Sequence, residues 1–277
     1  MNIYIVVDME GISGVIGVCE TDPSHKNYSV YQKIMTNEVN AVAKTAFEEG
    51  AKRVLINDFH AFGYNLLIED LHKDVELVRG DTNPTFGYGL SGLDESFNAL
   101  IHLGVHPRKG EKFGIINHTM SGVAVADLRV NGNQIGEFEL VAAAAGDLDV
   151  PVALVSGDVR ATQKAKKLLS NVETVPTKFG YNDVSARCLT PEKVSSQLVE
   201  KTKIVLSNIS KYKPYKYNGE NLIEMKYMKQ GMADFGAIIP GVERVDPYTV
   251  RWQANTGIDI YRKVLILITV SSWVQNY

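Results

Sequence analysis

Short apolar runs alternate with segments of helical period along most of this chain. Ile3 to Val7 is a continuous apolar run, the pattern of a strand buried on both faces. Thr36 to Glu49 places Val39, Val42, Ala43 and Ala46 at helical spacing, and Gly50 is a fitting stop. Arg53 to Asp58 and Glu76 to Gly80 read as the next strands. Ser96 to His102 reads as a helix or a strand leading into Gly104, and Gly114 to His118 as a further strand end. Asp127 to Val130, the Asn131-Gly132-Asn133 turn and Gln134 to Gly136 predict a hairpin. Glu137 to Gly146 is Ala-rich and helical, and Val150 to Val155 is a buried strand ending at Ser156-Gly157-Asp158. Helices follow over Asp158 to Leu169, with Lys164, Lys166 and Lys167 on a solvated face, and over Pro191 to Ile209. Thr190 and Pro191 form a cap-then-first-turn pair there. Leu222 to Tyr227 and Thr249 to Gln253 alternate as strands, and Ile258 to Trp273 closes the chain as a helix.

This order predicts an α/β fold. Its core is a βαβ-rich, mostly parallel sheet flanked by helices, with a smaller α+β C-terminal portion. A catalytic portion over residues 1–160 and a smaller portion over 161–277 fit the change in pattern, and one continuous domain fits it as well. In such sheets ligands gather beyond the carboxyl ends of the strands. Several runs here end in polar groups: Val7 in Asp8 and Glu10, Ile56 in Asn57, Asp58 and His60, and Ile116 in Asn117 and His118.

Net charge narrows the partners. At −3, with acids and bases scattered, the chain lacks the broad basic surface that nucleic acid requires. The basic-aromatic stretch Lys211 to Tyr217 is short and reads as an exposed connector. Two cysteines, Cys19 and Cys188, form no CxxC and point to a reducing cytoplasm. The first apolar run breaks at Asp8, too early for a signal sequence, and Val264 to Val274 is too short to span a membrane.

The six histidines divide by context. His25 and His72 lie in polar, charged stretches. His102 and His106 are four apart, but Gly104 lies between them and the glutamate of an HExxH motif is missing. His60, His106 and His118 each follow an apolar run. With Asp8 and Glu10 they make a mixed carboxylate-imidazole set that suits zinc or another late first-row divalent ion. A shared carboxylate in such a set can bridge two ions about 3.5–4 Å apart. Asp8 and Glu10 are two apart, so an extended segment carries both on one side. Gly11, Gly14 and Gly17 keep bulk away from them, and the stretch lacks the lysine of a phosphate-binding loop.

Five motifs in order then carry a resemblance. Val7-Asp8-Met9-Glu10-Gly11-Ile12-Ser13-Gly14 is similar to the opening signature of the zinc-dependent D-aminopeptidases, peptidase family M55. Asn57-Asp58-Phe59-His60, Gly104-Val105-His106, Asn117-His118-Thr119-Met120 and Gly136-Glu137 are similar to the family's second to fifth motifs. The resemblance implies two zinc ions per subunit, with Asp8 bridging them. Glu10 and His60 would complete one ion's ligands, and His106 and Glu137 the other's. His118 would be the catalytic residue, as nucleophile or base. It further implies an α/β fold, a homo-oligomer of two stacked pentamers, and release of N-terminal D-residues from short peptides such as D-Ala-D-Ala. Pro107, Asn117, Thr119 and Val6 depart from the family pattern around intact ligands.

The residues alone leave two other readings open. A two-metal phosphoesterase would use the same ligands, with Arg79, Arg108, Arg129 or Arg160 on the phosphate. A metal-stabilised peptide-binding protein would use them without turnover. Asn57, Asp58 and Asn117 read equally as groups orienting the ligands and as strand-end turn chemistry.

Overall fold

The first strand, β1 (Asn2–Val7), sends Ile3, Ile5 and Val7 into one core and Tyr4 and Val6 into another. Two buried faces require helices on both sides, and the chain supplies them. The computed structural model describes residues 1–80 and 90–274. In it β1 is followed by α1 (Tyr28–Glu48), β2 (Arg53–Asp58), β3 (Glu76–Val78) and β4 (Ala99–Val105). Next come β5 (Val125–Val130), β6 (Asn133–Gln134), α2 (Glu137–Asp147), β7 (Val152–Asp158) and α3 (Val159–Leu168). The chain continues through β8 (Glu173–Gly180), β9 (Ala186–Cys188), α4 (Pro191–Ser207), β10 (Asn221–Tyr227) and α5 (Gln230–Gly236). It ends with β11 (Glu243–Arg244), β12 (Thr249–Ala254) and α6 (Gly257–Ser271).

Seven strands form the large sheet, in the order β3-β2-β1-β4-β7-β8-β9. All neighbours are parallel except β9, which runs antiparallel to β8 at the edge. The sheet is therefore the mostly parallel, helix-flanked α/β sheet that the sequence predicts. Its order reverses between β1 and β4. Such a switch point leaves a crevice beyond the strand ends, because the helices that follow the two strands pass to opposite faces. β1 delivers Asp8 and Glu10 to that crevice and β4 delivers His106.

On one face, α1 and α4 pack against each other. They cover Ile3, Ile5 and Val7 with Met35, Val39, Val42, Val194 and Leu198. On the other face lies α2, whose residues from Glu137 to Gly146 are all buried, and α6 packs against it. Beyond them a second sheet, antiparallel throughout, has the order β11-β12-β10-β5-β6. Its inward residues Leu128, Ile223, Met225, Val250 and Trp252 share the core of α2 and α6. Strand membership crosses residue 160 in both directions: the large sheet takes β8 and β9 from beyond it, and the second takes β5 and β6 from before it.

Several elements differ from the sequence pattern. α1 begins at Tyr28 rather than Thr36, because the polar turns at its start carry no helical periodicity. β8 and β9 went unpredicted: Pro176 and Lys178 inside β8 argue against a buried strand, yet Lys178 is fully buried. The short α5 was also unpredicted. Residues 114–118 are not a strand. Phe113, Ile116 and Met120 have φ of 63°, 50° and 59°, so this apolar stretch is a chain of turns. The hairpin is as read, with Asn131 and Gly132 both at positive φ, as a two-residue turn between twisted strands requires.

β4 also settles the His102–His106 spacing. Residues four apart are neighbours on a helix but about 13 Å apart along a strand. His102 is buried between the rings of Phe59 and Phe138. Burial pushes its pKa down to about 3, against a weaker upward pull from the Glu137 carboxylate. The unfolded chain accepts this proton near pH 6.5, whereas the fold refuses it until about pH 3. Below pH 6.5 the unfolded state therefore binds more protons, and stability falls with pH through this window. Replacing His102 by Leu should remove that part of the slope. Urea unfolding of metal-free protein at pH 7 and pH 5 should show the variant losing about 2 kcal/mol less than the parent. Equal losses would show that His102 is not held neutral.

Candidate metal centre

Five segments bring six side chains together at the switch point. Asp8 and Glu10 follow β1, His60 follows β2, and His106 follows β4. His118 comes from the turns after Phe113, and Glu137 is the first residue of α2. All six residues named from the sequence converge, in two clusters whose ligand atoms lie within 4.8 Å of one another: Asp8, Glu10 and His60, and His106, His118 and Glu137.

Asp8 joins the clusters. Its Oδ1 lies 3.4 Å from His60 Nδ1 and its Oδ2 lies 3.5 Å from His106 Nε2. Glu10 Oε2 is 3.0 Å from His60 Nδ1, and Glu137 Oε1 is 3.0 Å from His106 Nε2. The rings of His106 and His118 stack 4.0 Å apart and nearly parallel, with His118 Nε2 3.6 Å from Glu137 Oε1 and 3.9 Å from Glu10 Oε1.

Each imidazole commits one nitrogen to a backbone carbonyl. His60 Nε2 faces the Thr21 carbonyl at 3.2 Å, His106 Nδ1 that of Pro107 at 2.9 Å, and His118 Nδ1 that of Ile116 at 2.9 Å. A ring N–H donating to each carbonyl fixes the tautomer and turns the other nitrogen's lone pair into the carboxylates. His106 Nε2 is buried and makes no hydrogen bond, although Glu137 Oε1 is close by. Lone pairs aimed at carboxylate oxygens repel each other unless a proton or a metal cation lies between them. The donor set of nitrogen and oxygen atoms fits zinc.

Protonation in the bare cluster follows from the same crowding. Burial works against every charge here. Burial and the neighbouring Glu10 charge hold Asp8 well above the ordinary carboxylate range. Glu10 is buried too, but the His60 imidazole outweighs that and holds it well below. Burial lowers His60 and His106, yet the facing carboxylates raise both, His106 to about 10. Burial and the adjacent His106 push His118 down, so it is the most easily neutral imidazole of the three.

The surrounding backbone is shaped for close approach. The Asp8 N–H donates to the Leu103 carbonyl and the Gly11 N–H to that of Gly104. Gly104 has φ of 69°, and a Cβ there would lie 1.9 Å from the Asp8 carbonyl oxygen. No other residue fits against the metal loop at that point. Ile116, a β-branched residue at positive φ, is strained, and its carbonyl is the one that holds His118. Of the three polar candidates flanking the ligands, Asn57 Nδ2 bonds to the Tyr4 hydroxyl. Asn117 bonds within its own loop, to the Gly110 N–H and the Gly114 carbonyl. Asp58 accepts from the backbone of Asn65 and Leu66 and from Asn65 Nδ2, which also reaches the His60 carbonyl. Asn57 thus bonds across to β1, the Asn117 and Asp58 contacts build turns, and Asp58 shapes the loop that carries His60.

Two cavities open at the cluster. One, of about 590 Å³, places Phe59, Phe62, Met120, Leu265 and Ile268 beside Asp8, Glu10, His60, His118 and Glu137. The other, of about 670 Å³, shares Glu10, His60 and His118. None of the four arginines considered for a phosphate lines either cavity; Arg108 and Arg160 border only a pocket of about 20 Å³ beside His106 and Glu137, room for a water and not for a phosphate.

The family model of the D-aminopeptidases, peptidase family M55, matches residues 1–266. This chain belongs to the M55 D-aminopeptidase family. The D-aminopeptidase of Bacillus subtilis strain 168 is 35% identical over 268 residues, which cover 96% of each chain. The solved structure of the Zn-dependent D-aminopeptidase DppA from Bacillus subtilis, described as a self-compartmentalizing protease, matches with a TM-score of 0.92 at 34% identity. That match covers 98% of each chain.

One part of this M55 site was not visible in the sequence. Lys178 on β8 is fully buried, and its ammonium donates to the Glu10 and Val15 carbonyls. Beside it, Thr177 Oγ1 donates to the Gly11 carbonyl at 2.6 Å. Burial pushes the lysine down to about 8, so the contact holds a cation at considerable cost. No periodicity signals such a role, because the partners lie more than 160 residues away. Lys178→Met should leave two carbonyls unpaired and destabilise the fold by about 2 kcal/mol in urea. Amide exchange across residues 10–15 should quicken. Unchanged exchange there would show that the loop does not depend on the lysine.

Proposed function

We propose that this M55 chain is a zinc-dependent aminopeptidase. It releases the N-terminal D-residue of short peptides such as D-Ala-D-Ala at a centre of two zinc ions. One observation carries the reading: the two oxygens of Asp8 face two separate imidazoles, each already pinned through its other nitrogen to a backbone carbonyl. A carboxylate placed in this way is suited to bridge. Three carboxylates also carry three negative charges, close to what two divalent ions balance. Asp8, Glu10 and His60 would hold one ion, and Asp8, His106 and Glu137 the other. The zinc-dependence of the similar DppA supports the choice of metal.

Bound zinc supplies Lewis acidity toward a carbonyl and lowers the pKa of water to near neutral. The chain's own groups then handle protons and position. His118 donates from Nδ1 to the Ile116 carbonyl, so only Nε2 is free to take a proton and return it to the leaving amine. Held neutral by burial, it is in the form that accepts. The apolar wall of Phe59, Phe62, Leu265 and Ile268 excludes water and packs the N-terminal side chain.

The self-compartmentalizing character of DppA supports a homo-oligomer for this chain, and we extend that to the stacked-pentamer decamer. No described helix is long and apolar enough to cross a membrane, and two free cysteines suit the cytoplasm. The phosphoesterase alternative is disfavoured, because neither large cavity carries an arginine to clamp a phosphate and the pocket that holds Arg108 and Arg160 has a volume of only about 20 Å³.

Zinc-loaded protein should release alanine from D-Ala-D-Ala, not from L-Ala-L-Ala, and a chelator should abolish the release. Cleavage of the L-peptide alone would keep the hydrolase and discard the stereochemistry. His118→Ala should cut kcat by about 10²–10⁴ with zinc content per chain unchanged by elemental analysis. Loss of zinc in that variant would make His118 a ligand instead.

A further inference from the structure

The two cavities that meet at Glu10, His60 and His118 differ in lining. The smaller one adds the carboxylates of Asp8 and Glu137 to its apolar wall and holds no lysine or arginine. The larger one is lined by Val18, Val123 and Val184 and holds a lysine, Lys109. A short peptide is itself polar end to end, with an ammonium at its N-terminus and a carboxylate at the other end. In a dipeptide only one residue separates that carboxylate from the bond to be cut.

Lys109 is placed to read this carboxylate. Its ammonium has no hydrogen-bond or ion-pair partner among the described residues, whereas its backbone is held firmly. The Lys109 N–H donates to Thr119 Oγ1 at 3.1 Å, and its carbonyl accepts from Arg108 Nη1 at 2.7 Å. The same two segments are linked again by the His118 N–H to the Pro107 carbonyl and by the Gly110 N–H to Asn117 Oδ1. Lys109 and His118 are thus registered against each other by three bonds. A backbone register fixed between the proton-handling imidazole and the lysine bounds the reach of the ammonium, and a bounded reach is what measuring a short substrate requires. Asp183 also lines this cavity. It is exposed, so its repulsion of an incoming carboxylate is screened by solvent.

We propose that Lys109 binds the C-terminal carboxylate of the peptide. The N-terminal residue then lies against the apolar wall of the other cavity, and the enzyme selects short peptides with a free C-terminus. The proposal rests on the aminopeptidase reading above and specifies its substrate.

The test compares D-Ala-D-Ala with its C-terminal amide on zinc-loaded full-length protein. The parent should favour the acid over the amide through KM. Lys109→Met should raise KM for the acid by about tenfold, leave its kcat within twofold and leave KM for the amide unchanged. Lys109→Arg, which keeps the charge, should retain the preference. A parent that treats acid and amide alike overturns the proposal while leaving the peptidase intact. So does a Lys109→Met variant that weakens both substrates equally. If the parent cleaves neither substrate, the aminopeptidase reading itself fails and this proposal fails with it.

Discussion

Three carboxylates buried side by side in one crevice are the constraint on which this molecule turns. Asp8, Glu10 and Glu137 are all nearly inaccessible to solvent. Desolvation and mutual repulsion both oppose their charges. Without a cation, the cluster finds relief by protonating His60 and His106, which the facing carboxylates favour against burial, and by keeping a proton on Asp8, which burial and the Glu10 charge favour. A cation removes the conflict. The surrounding architecture is spent on holding the repelling groups still: β1 and β4 fix the loop from below, Gly104 lets it lie close, and Lys178 grips it from β8.

Because the six groups come from five segments spread over residues 8–137, a cation there would also cross-link the chain. It would tie the ends of loops of tens of residues in a protein whose two cysteines are both free. The loop-closure entropy of such ties is borne by the unfolded chain, as with a disulfide, and favours the fold. Metal loss should accordingly be felt first in the loops after β1 and β2 and in the turns around His118, rather than in the strands behind them.

Much of this was legible from residue order. Apolar runs such as Ile3 to Val7 and Arg53 to Asp58 name buried parallel strands, and the polar residues at their ends name the crevice. The six clustered side chains were legible as motifs, although no single spacing required them to meet. What stayed hidden has a common physical cause. Lys178 reads as a solvent-facing residue, and only its distant partners, the Glu10 and Val15 carbonyls, explain its burial. Pro176 and Lys178 together disguised β8 as a loop. Ile115 and Ile116 looked like strand because nothing in a β-branched residue announces a positive φ. The second sheet was readable strand by strand, but the pairing of β5 with β10 spans about ninety residues and leaves no local mark.

Part of the wall of the smaller cavity comes from α6, which contributes none of the six clustered side chains. Leu265 belongs to the core and Ile268 packs partly on it, whereas the Thr269 and Ser272 hydroxyls, also at the cavity, bond only within their own turn, to the Leu265 and Thr269 carbonyls. Part of the taste is thus inherited from a different stretch of the gene than the reactivity. A lineage can wander through side-chain preferences by changing two codons in this helix and its last turn, and never disturb the groups that gather at the strand ends.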